Sequence, residues 1–166
     1  MLKKNFWRFW APIMIIGALA TVAAFTGRAQ NSPNYDRIAP NLYLGGYVQK
    51  PPPGTKAVLN LCETEDLYKA PSHRWVPIVD VEPAPGLDWI KTQVEFIDAE
   101  RKADHQTYVH CRNGVNRSAF VVVAYLMYSE KMTRDEALKF VQAKRSVRPN
   151  PIFMERLLEW EKEIKK

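Results

Sequence analysis

The stretch VHCRNGVNRS, residues 109–118, sets one of the chain's two cysteines directly after a β-branched run and six residues ahead of an arginine. A strand that runs into a tight loop and then a helix N-terminus builds an anion site, because the loop amides and the first unpaired N–H groups of the helix point inward together. Gly114 lets that loop turn closely around a ligand. Arg117 can fork two N–H groups onto two phosphoryl oxygens, a geometry that lysine does not match. Cys111 is expected at the floor of the same positive cradle, where the thiolate is favoured and the pKa falls below the free value of ~8.5. A thiolate facing a bound phosphate ester is a nucleophile in line with phosphorus. The chemistry that follows is covalent phosphoryl transfer: a phosphocysteine forms, and water then releases phosphate while Arg117 and the loop amides stabilise the equatorial oxygens. No metal or other cofactor is needed for it.

Expelling an alkoxide or phenoxide needs a proton donor on a loop that can close over the leaving oxygen. Asp80 is the preferred candidate, at the start of the proline- and glycine-rich DVEPAPG. Glu82 and Asp88 are the alternatives, although Asp88 sits where a helix cap is expected. His110 can be a satisfied core histidine; His73 and His105 are expected at the surface. Two cysteines and three histidines show no paired ligand spacing, so a zinc site is not expected.

The elements that must position these residues are short. LYLGG (42–46), AVLNL (57–61), RWVPIV (74–79) and TYVH (107–110) read as strands. Leu87, Ile90, Val94 and Ile97 recur at helical steps and predict a helix from about Leu87 to Lys102. The wholly apolar and aromatic run from Ala119 to Tyr128 predicts a helix buried on all sides, beginning at Arg117. Thr133 and Glu136 form a capping box for the next helix. Asn150 and Pro151 read as cap and first residue of the last helix, with Leu157, Leu158 and Ile164 turned inward. Strands interleaved with helices describe an α/β domain with a central, mostly parallel sheet flanked by helices over residues 31–166.

Residues 1–30 read differently. From Phe9 to Gly27 no residue is charged, and as a helix this run would span about 28 Å, close to a bilayer's hydrocarbon thickness. Arg8 and Arg28 bracket it, so a single-pass membrane anchor is expected. Lys3, Lys4 and Arg8 ahead of Ala18-Leu19-Ala20 also describe a cleavable signal peptide, but the apolar stretch continues through Phe25. The positive-inside rule leaves the N-terminus cytoplasmic, with Arg28 and Arg37 weighing against that on the other flank. RAQNSPNYDR (28–37) is a polar linker. Lys3, Lys4 and Arg8 supply half of the +6 net charge, and the rest of the chain shows no basic stripe interleaved with aromatics, so nucleic-acid binding is not expected.

The pattern His110-Cys111, Gly114, Arg117, Ser118 resembles the signature of the protein tyrosine phosphatase superfamily, in its dual-specificity branch. The likeness extends over roughly residues 37–161, through RIAPNLYLGG, VLNLCE, WVPIVD and VRPNPIFMERLLEWE. It implies Cys111 as nucleophile, Arg117 as phosphate clamp, Asp80 as general acid and then base, Ser118 as thiolate and leaving-group partner, His110 as the residue that orients the loop by hydrogen bonding, and Arg112, Asn113, Gly114, Val115, Asn116 and Arg117 as the substrate-binding loop. Asn116 stands where many relatives have serine, and its side chain is expected to face away from phosphate. The resemblance implies a monomer acting on phosphorylated tyrosine, serine or threonine in proteins. A phosphoinositide or other phospholipid substrate is the alternative, for which the single basic loop residue Arg112 gives slight support. A membrane-tethered phosphate-binding module without turnover is a further alternative. Cys62, at the end of the VLNLC strand, is either inert packing or a redox partner of Cys111. Some lipid-directed relatives pair such a cysteine with the nucleophile, and a parallel sheet gathers strand ends at one edge.

Overall fold

A computed structural model describes residues 33–166, which form one unit. The anchor expected at residues 9–27 lies outside the described residues. Among those described, no helix is long and apolar enough to cross a membrane.

TYVH forms β5 (Thr107–His110), and all four of its residues are buried. That follows from its place in the middle of a five-stranded sheet of order β1-β2-β5-β3-β4, because a central parallel strand is covered on both faces and reads as a continuous run rather than an alternation. β2 (Leu42–Gly45) and β3 (Ala57–Asn60) pair parallel with it on either side, placing Leu44 and Leu59 opposite Val109. β1 (Tyr35–Ala39) pairs antiparallel with β2 and is the only antiparallel member of the sheet among the described residues. The carboxyl ends of β2, β5 and β3 therefore meet at one edge, which is where a ligand site belongs in such a sheet.

Two sequence expectations are corrected here. The residues read as the end of a linker, Tyr35 to Arg37, belong to β1; Asp36 and Arg37 among them conceal a strand at the sheet's border. The run read as a strand over 74–79 is instead β4 (Ser72–Trp75), which pairs only with β3. Beyond Trp75 only alternate bonds continue, Val76 N to Asn60 O at 2.9 Å and Ile78 N to Leu61 O at 3.4 Å, because Pro77 offers no donor to a ladder. The chain leaves the sheet there, and Asp80 rides on a loop.

The helices are α1 (Leu87–Lys102), α2 (Arg117–Ser129), α3 (Arg134–Gln142) and α4 (Pro151–Ile164). The expected capping box at Thr133 and Glu136 is present, and Asn150 caps α4 by accepting from Phe153 N. The N-cap of α1 is Gly86 and not Asp88, which lies inside the first turn. α2 is buried from Arg117 through Met127 and packs against β2 and β5, with the other three helices around it. Phe120 stacks on Phe153 at 4.5 Å, and Trp160 Nε1 donates to Ala124 O at 3.1 Å. Leu157 is buried as expected, but Leu158 is 41% exposed: it follows Leu157 by one step on α4 and so points off the packed face. Since α2 carries Arg117 at its first turn, its packing sets the site. Phe120→Ala should cost about 3–5 kcal/mol by urea unfolding, and a loss under 1 kcal/mol would show that this stack does not hold α2 in place.

Candidate active site

β5 ends at His110, and the loop from Cys111 to Asn116 curls back so that α2 begins at Arg117. Gly114 adopts φ +68°, and a β-carbon there would lie 2.3 Å from the carbonyl carbon of Gly45 and 2.5 Å from Gly46 N. Only glycine permits both the backbone conformation and the approach. The amides of Gly114, Val115 and Ser118 turn toward the Cys111 sulfur.

Turning amides inward sends the carbonyls outward, and each one from residue 112 to 116 is received. Tyr47 N donates to Arg112 O at 2.9 Å, Arg148 N to Val115 O at 2.8 Å, and Phe120 N to Asn116 O at 2.9 Å. The other two fall to Arg145, whose Nη2 donates to Asn113 O at 3.1 Å and whose Nε donates to Gly114 O at 2.7 Å. Arg145 is 8% exposed, and its remaining donors reach Asp36 Oδ2 at 2.8 Å and Asn34 Oδ1 at 2.6 Å. A buried guanidinium with every edge engaged is a rigid brace.

Cys111 is buried with its sulfur 3.3 Å from Ser118 Oγ. Burial pushes its thiol up, but the Ser118 hydroxyl and the amides of Ser118, Gly114 and Val115 outweigh that and hold it below the ordinary thiol value. Cys62 has the opposite fate. Burial first, and then the neighbouring Cys111, push its thiol up to about 12, and its sulfur lies 3.8 Å from His110 Nδ1. Both cysteines are free thiols.

His110 is fully buried, stacks on Tyr108 at 5.0 Å, and bonds Asp66 Oδ2 through Nε2 at 3.1 Å. His73, expected at the surface, bonds the same oxygen at 3.0 Å with only 11% of its side chain exposed. Burial raises the Asp66 carboxyl, but the two imidazoles more than compensate and leave it lowered. His105 does lie at the surface, paired with Glu100.

Arg117 reaches from α2 across the cradle. Its Nη1 donates to Glu63 Oε1 at 2.8 Å and Ile78 O at 2.9 Å, which leaves the Nε and Nη2 edge as the pair able to fork onto phosphoryl oxygens. Its Nε lies 3.1 Å from Asp80 Oδ1, an ion pair without hydrogen-bond alignment. Asp80 is thus brought to the cradle. Glu82 and Asp88 have no bond to residues 111–118 among the described residues. The Glu63 carboxyl is lowered by its own backbone N–H and by Arg117.

Asn116 meets the candidate acid. Its side-chain Nδ2 donates to Asp80 Oδ1 at 2.9 Å, and its Oδ1 accepts from Asn150 N at 2.8 Å. Arg112, Asn113 and Val115 are exposed on the loop's outer side. A hollow of about 210 Å³ lined by Tyr47, Cys62, Thr64 and Arg112 adjoins it. Sequence reasoning passed over Glu63, Asp66 and Arg145. The one available signal for Glu63 was its place just past a strand end at the edge where the site forms; Arg145 sits in a run of basic residues that looks solvated.

Residues 42–163 match the family model described as dual specificity phosphatase, catalytic domain. The chain belongs to that family. It is 35% identical over 139 residues to human dual specificity protein phosphatase 8, covering 78% of this chain and 22% of that protein. It is 36% identical over 93 residues to human dual specificity protein phosphatase 1, covering 55% of this chain and 25% of that one. The chain therefore spans less than a third of the length of these curated relatives. Among solved structures, human DUSP28 superposes with a TM-score of 0.72 at 26% identity, covering 81% of this chain and 97% of that one.

The depressed Cys111 thiol gives a direct prediction. Iodoacetate should alkylate Cys111 with a rate that rises through a midpoint below the ordinary thiol range, while Cys62 stays protonated and unreactive. Ser118→Ala should move the midpoint upward, since it removes a donor to the thiolate. An unchanged midpoint would remove Ser118 from the account.

Proposed function

We propose that this domain, acting as a monomer, hydrolyses phosphate monoesters on proteins, at phosphotyrosine, phosphoserine and phosphothreonine, through a phosphocysteine intermediate. The observation that carries the reading is the convergence of Cys111, Arg117 and Asp80 on one loop-and-helix cradle, with the thiol held below its ordinary value. The Cys111 thiolate attacks phosphorus and the ester P–O bond breaks as Asp80 gives its proton to the leaving oxygen. Water then attacks the phosphocysteine and gives a proton to the Asp80 carboxylate. The S–P bond breaks, and the thiolate returns to its Ser118 and amide donors. Through this cycle Arg117 and the amides balance the phosphoryl charge, and Glu63 keeps the guanidinium aimed.

Phospholipid is the second reading. Val79, Val81 and Val115 are exposed beside Asp80 and the loop, an apolar rim that suits a lipid surface, and the uncharged run 9–27 is proposed as a membrane anchor. Phosphoprotein stands first because Arg112 is the sole basic residue of the loop's rim. A binding module without turnover has no use for a depressed thiol on a loop that also holds an acid.

Cys62 is proposed as a redox partner. Peroxide converts the Cys111 thiolate to a sulfenic acid; the Cys62 thiol attacks that sulfur, a disulfide forms and water leaves. The high Cys62 value means its proton must be removed, and His110 Nδ1 is the acceptor within reach. After peroxide and then dithiothreitol, wild type should regain activity while Cys62→Ser stays largely inactive; equal recovery would leave Cys62 as packing.

Residues 31–166 are assayed on p-nitrophenyl phosphate, phosphopeptides and phospholipid vesicles. Cys111→Ser should abolish turnover. Asp80→Ala should slow poor leaving groups by ~100-fold or more and activated aryl phosphates far less. Substantial activity in Cys111→Ser sinks the thiolate mechanism, and faster release from vesicles than from peptides puts lipid first.

A further inference from the structure

Asn116 occupies the N-cap position of α2, where an asparagine ordinarily spends its side-chain oxygen on the second or third N–H of its own helix. It makes no such bond. The oxygen is committed elsewhere, because Asn150 N is a backbone donor and can only be met by Oδ1, which fixes the amide orientation and turns Nδ2 onto Asp80. Asn150 closes the arrangement: its Nδ2 donates to Asp80 O at 3.0 Å while its Oδ1 caps α4. Two asparagines, one on the phosphate loop and one at the entry to α4, thus hold the backbone and the carboxyl of a single acidic residue.

One hydrogen-bond donor and one ion-pair partner meet Asp80 at the same atom. Asn116 Nδ2 donates to Oδ1 at 2.9 Å, Arg117 Nε forms an ion pair with that oxygen at 3.1 Å, and no described residue bonds Oδ2. In a carboxylic acid the carbonyl oxygen accepts and the hydroxyl oxygen donates, so an Oδ1 that already accepts places the acidic proton on Oδ2. Once a phosphate takes the Nε and Nη2 edge of Arg117, Asn116 is the donor that remains on Oδ1. Leaving α2 uncapped has a second effect, since the first amides of the helix stay available to the anion.

We propose that Asn116 is the positioning residue for the general acid, fixing both the place of Asp80 over the cradle and the oxygen that carries the proton. This rests on the phosphatase reading above. Serine at this position cannot span to Asp80 and Asn150 together. Asn116→Asp keeps the shape and the acceptor but turns the donor into a second negative oxygen facing Asp80.

The test compares wild type, Asn116→Ser and Asn116→Asp on phenyl phosphate and on p-nitrophenyl phosphate, each also in an Asp80→Ala background, with amide hydrogen exchange over residues 78–84. Asn116→Ser should lose roughly 10- to 100-fold on phenyl phosphate and only a few-fold on the activated ester. Asn116→Asp should lose more on phenyl phosphate. Neither change should add a further loss on phenyl phosphate once Asp80 is alanine, and exchange over 78–84 should quicken in both variants while β5 is unaffected. An equal loss on both esters, additivity with Asp80→Ala, or unaltered exchange in the loop overturns the positioning role alone. A wild-type protein that releases phosphate from neither ester overturns the phosphatase reading, and the role with it.

Discussion

A loop that turns its amides toward an anion must find receivers for its carbonyls, and the rest of this molecule is arranged around that requirement. A buried carbonyl without a donor is expensive, and five in a row would unfold the cradle before any ligand arrived. Four of the five carbonyls are received from places remote in the sequence, just past β2 and after α3, and the fifth by the adjoining α2. Arg145 takes two of the five and ties them to Asn34 and Asp36 at the start of the fold. The cradle is therefore preformed, and its amides need no reorganisation when charge develops on a phosphoryl group.

The same logic divides the arginines. Arg117 and Arg145 are both buried guanidiniums beside carboxylates, yet one faces into the cradle and the other out of it. Arg145 spends every edge on fixed protein groups and acts as scaffold. Arg117 spends Nη1 on Glu63 and Ile78 and keeps one edge toward the site, where the competing partner is the Asp80 carboxyl. A lysine has a single ammonium and cannot divide its donors between anchorage and substrate in this way.

What the sequence disclosed follows from how local each signal was. The boundaries of β5, of α1 and of the start of α2 were legible because each is set by its own apolar pattern and by Gly114 and Arg117 within a few residues. The position of Asp80 beside the loop was legible, though the strand expected to deliver it ends at Trp75, since an edge position and Pro77 outweigh the apolar character of Val76, Ile78 and Val79. Tyr35 to Arg37 read as linker because a bordering strand can alternate charge with apolar residues. Arg145, Glu63, Asp66 and the contacts of Asn116 were illegible for a different reason: apart from His73, which is 7 residues from Asp66, their side-chain partners are between 31 and 111 residues distant, and no local pattern specifies which buried carbonyl or carboxylate a polar side chain will meet.

Main-chain contact at Gly114 and Gly45 leaves no room for a methyl group, so the depth of the cradle is set by backbone against backbone. Around that fixed depth, Cys111, Gly114, Arg117 and Ser118 are buried, while Arg112, Asn113 and Val115 face solvent. Side chains at those three outward positions can change in size, charge or polarity without moving the floor on which phosphorus would rest. The architecture thus separates a floor fixed by main-chain contact from a rim whose side chains are free of it.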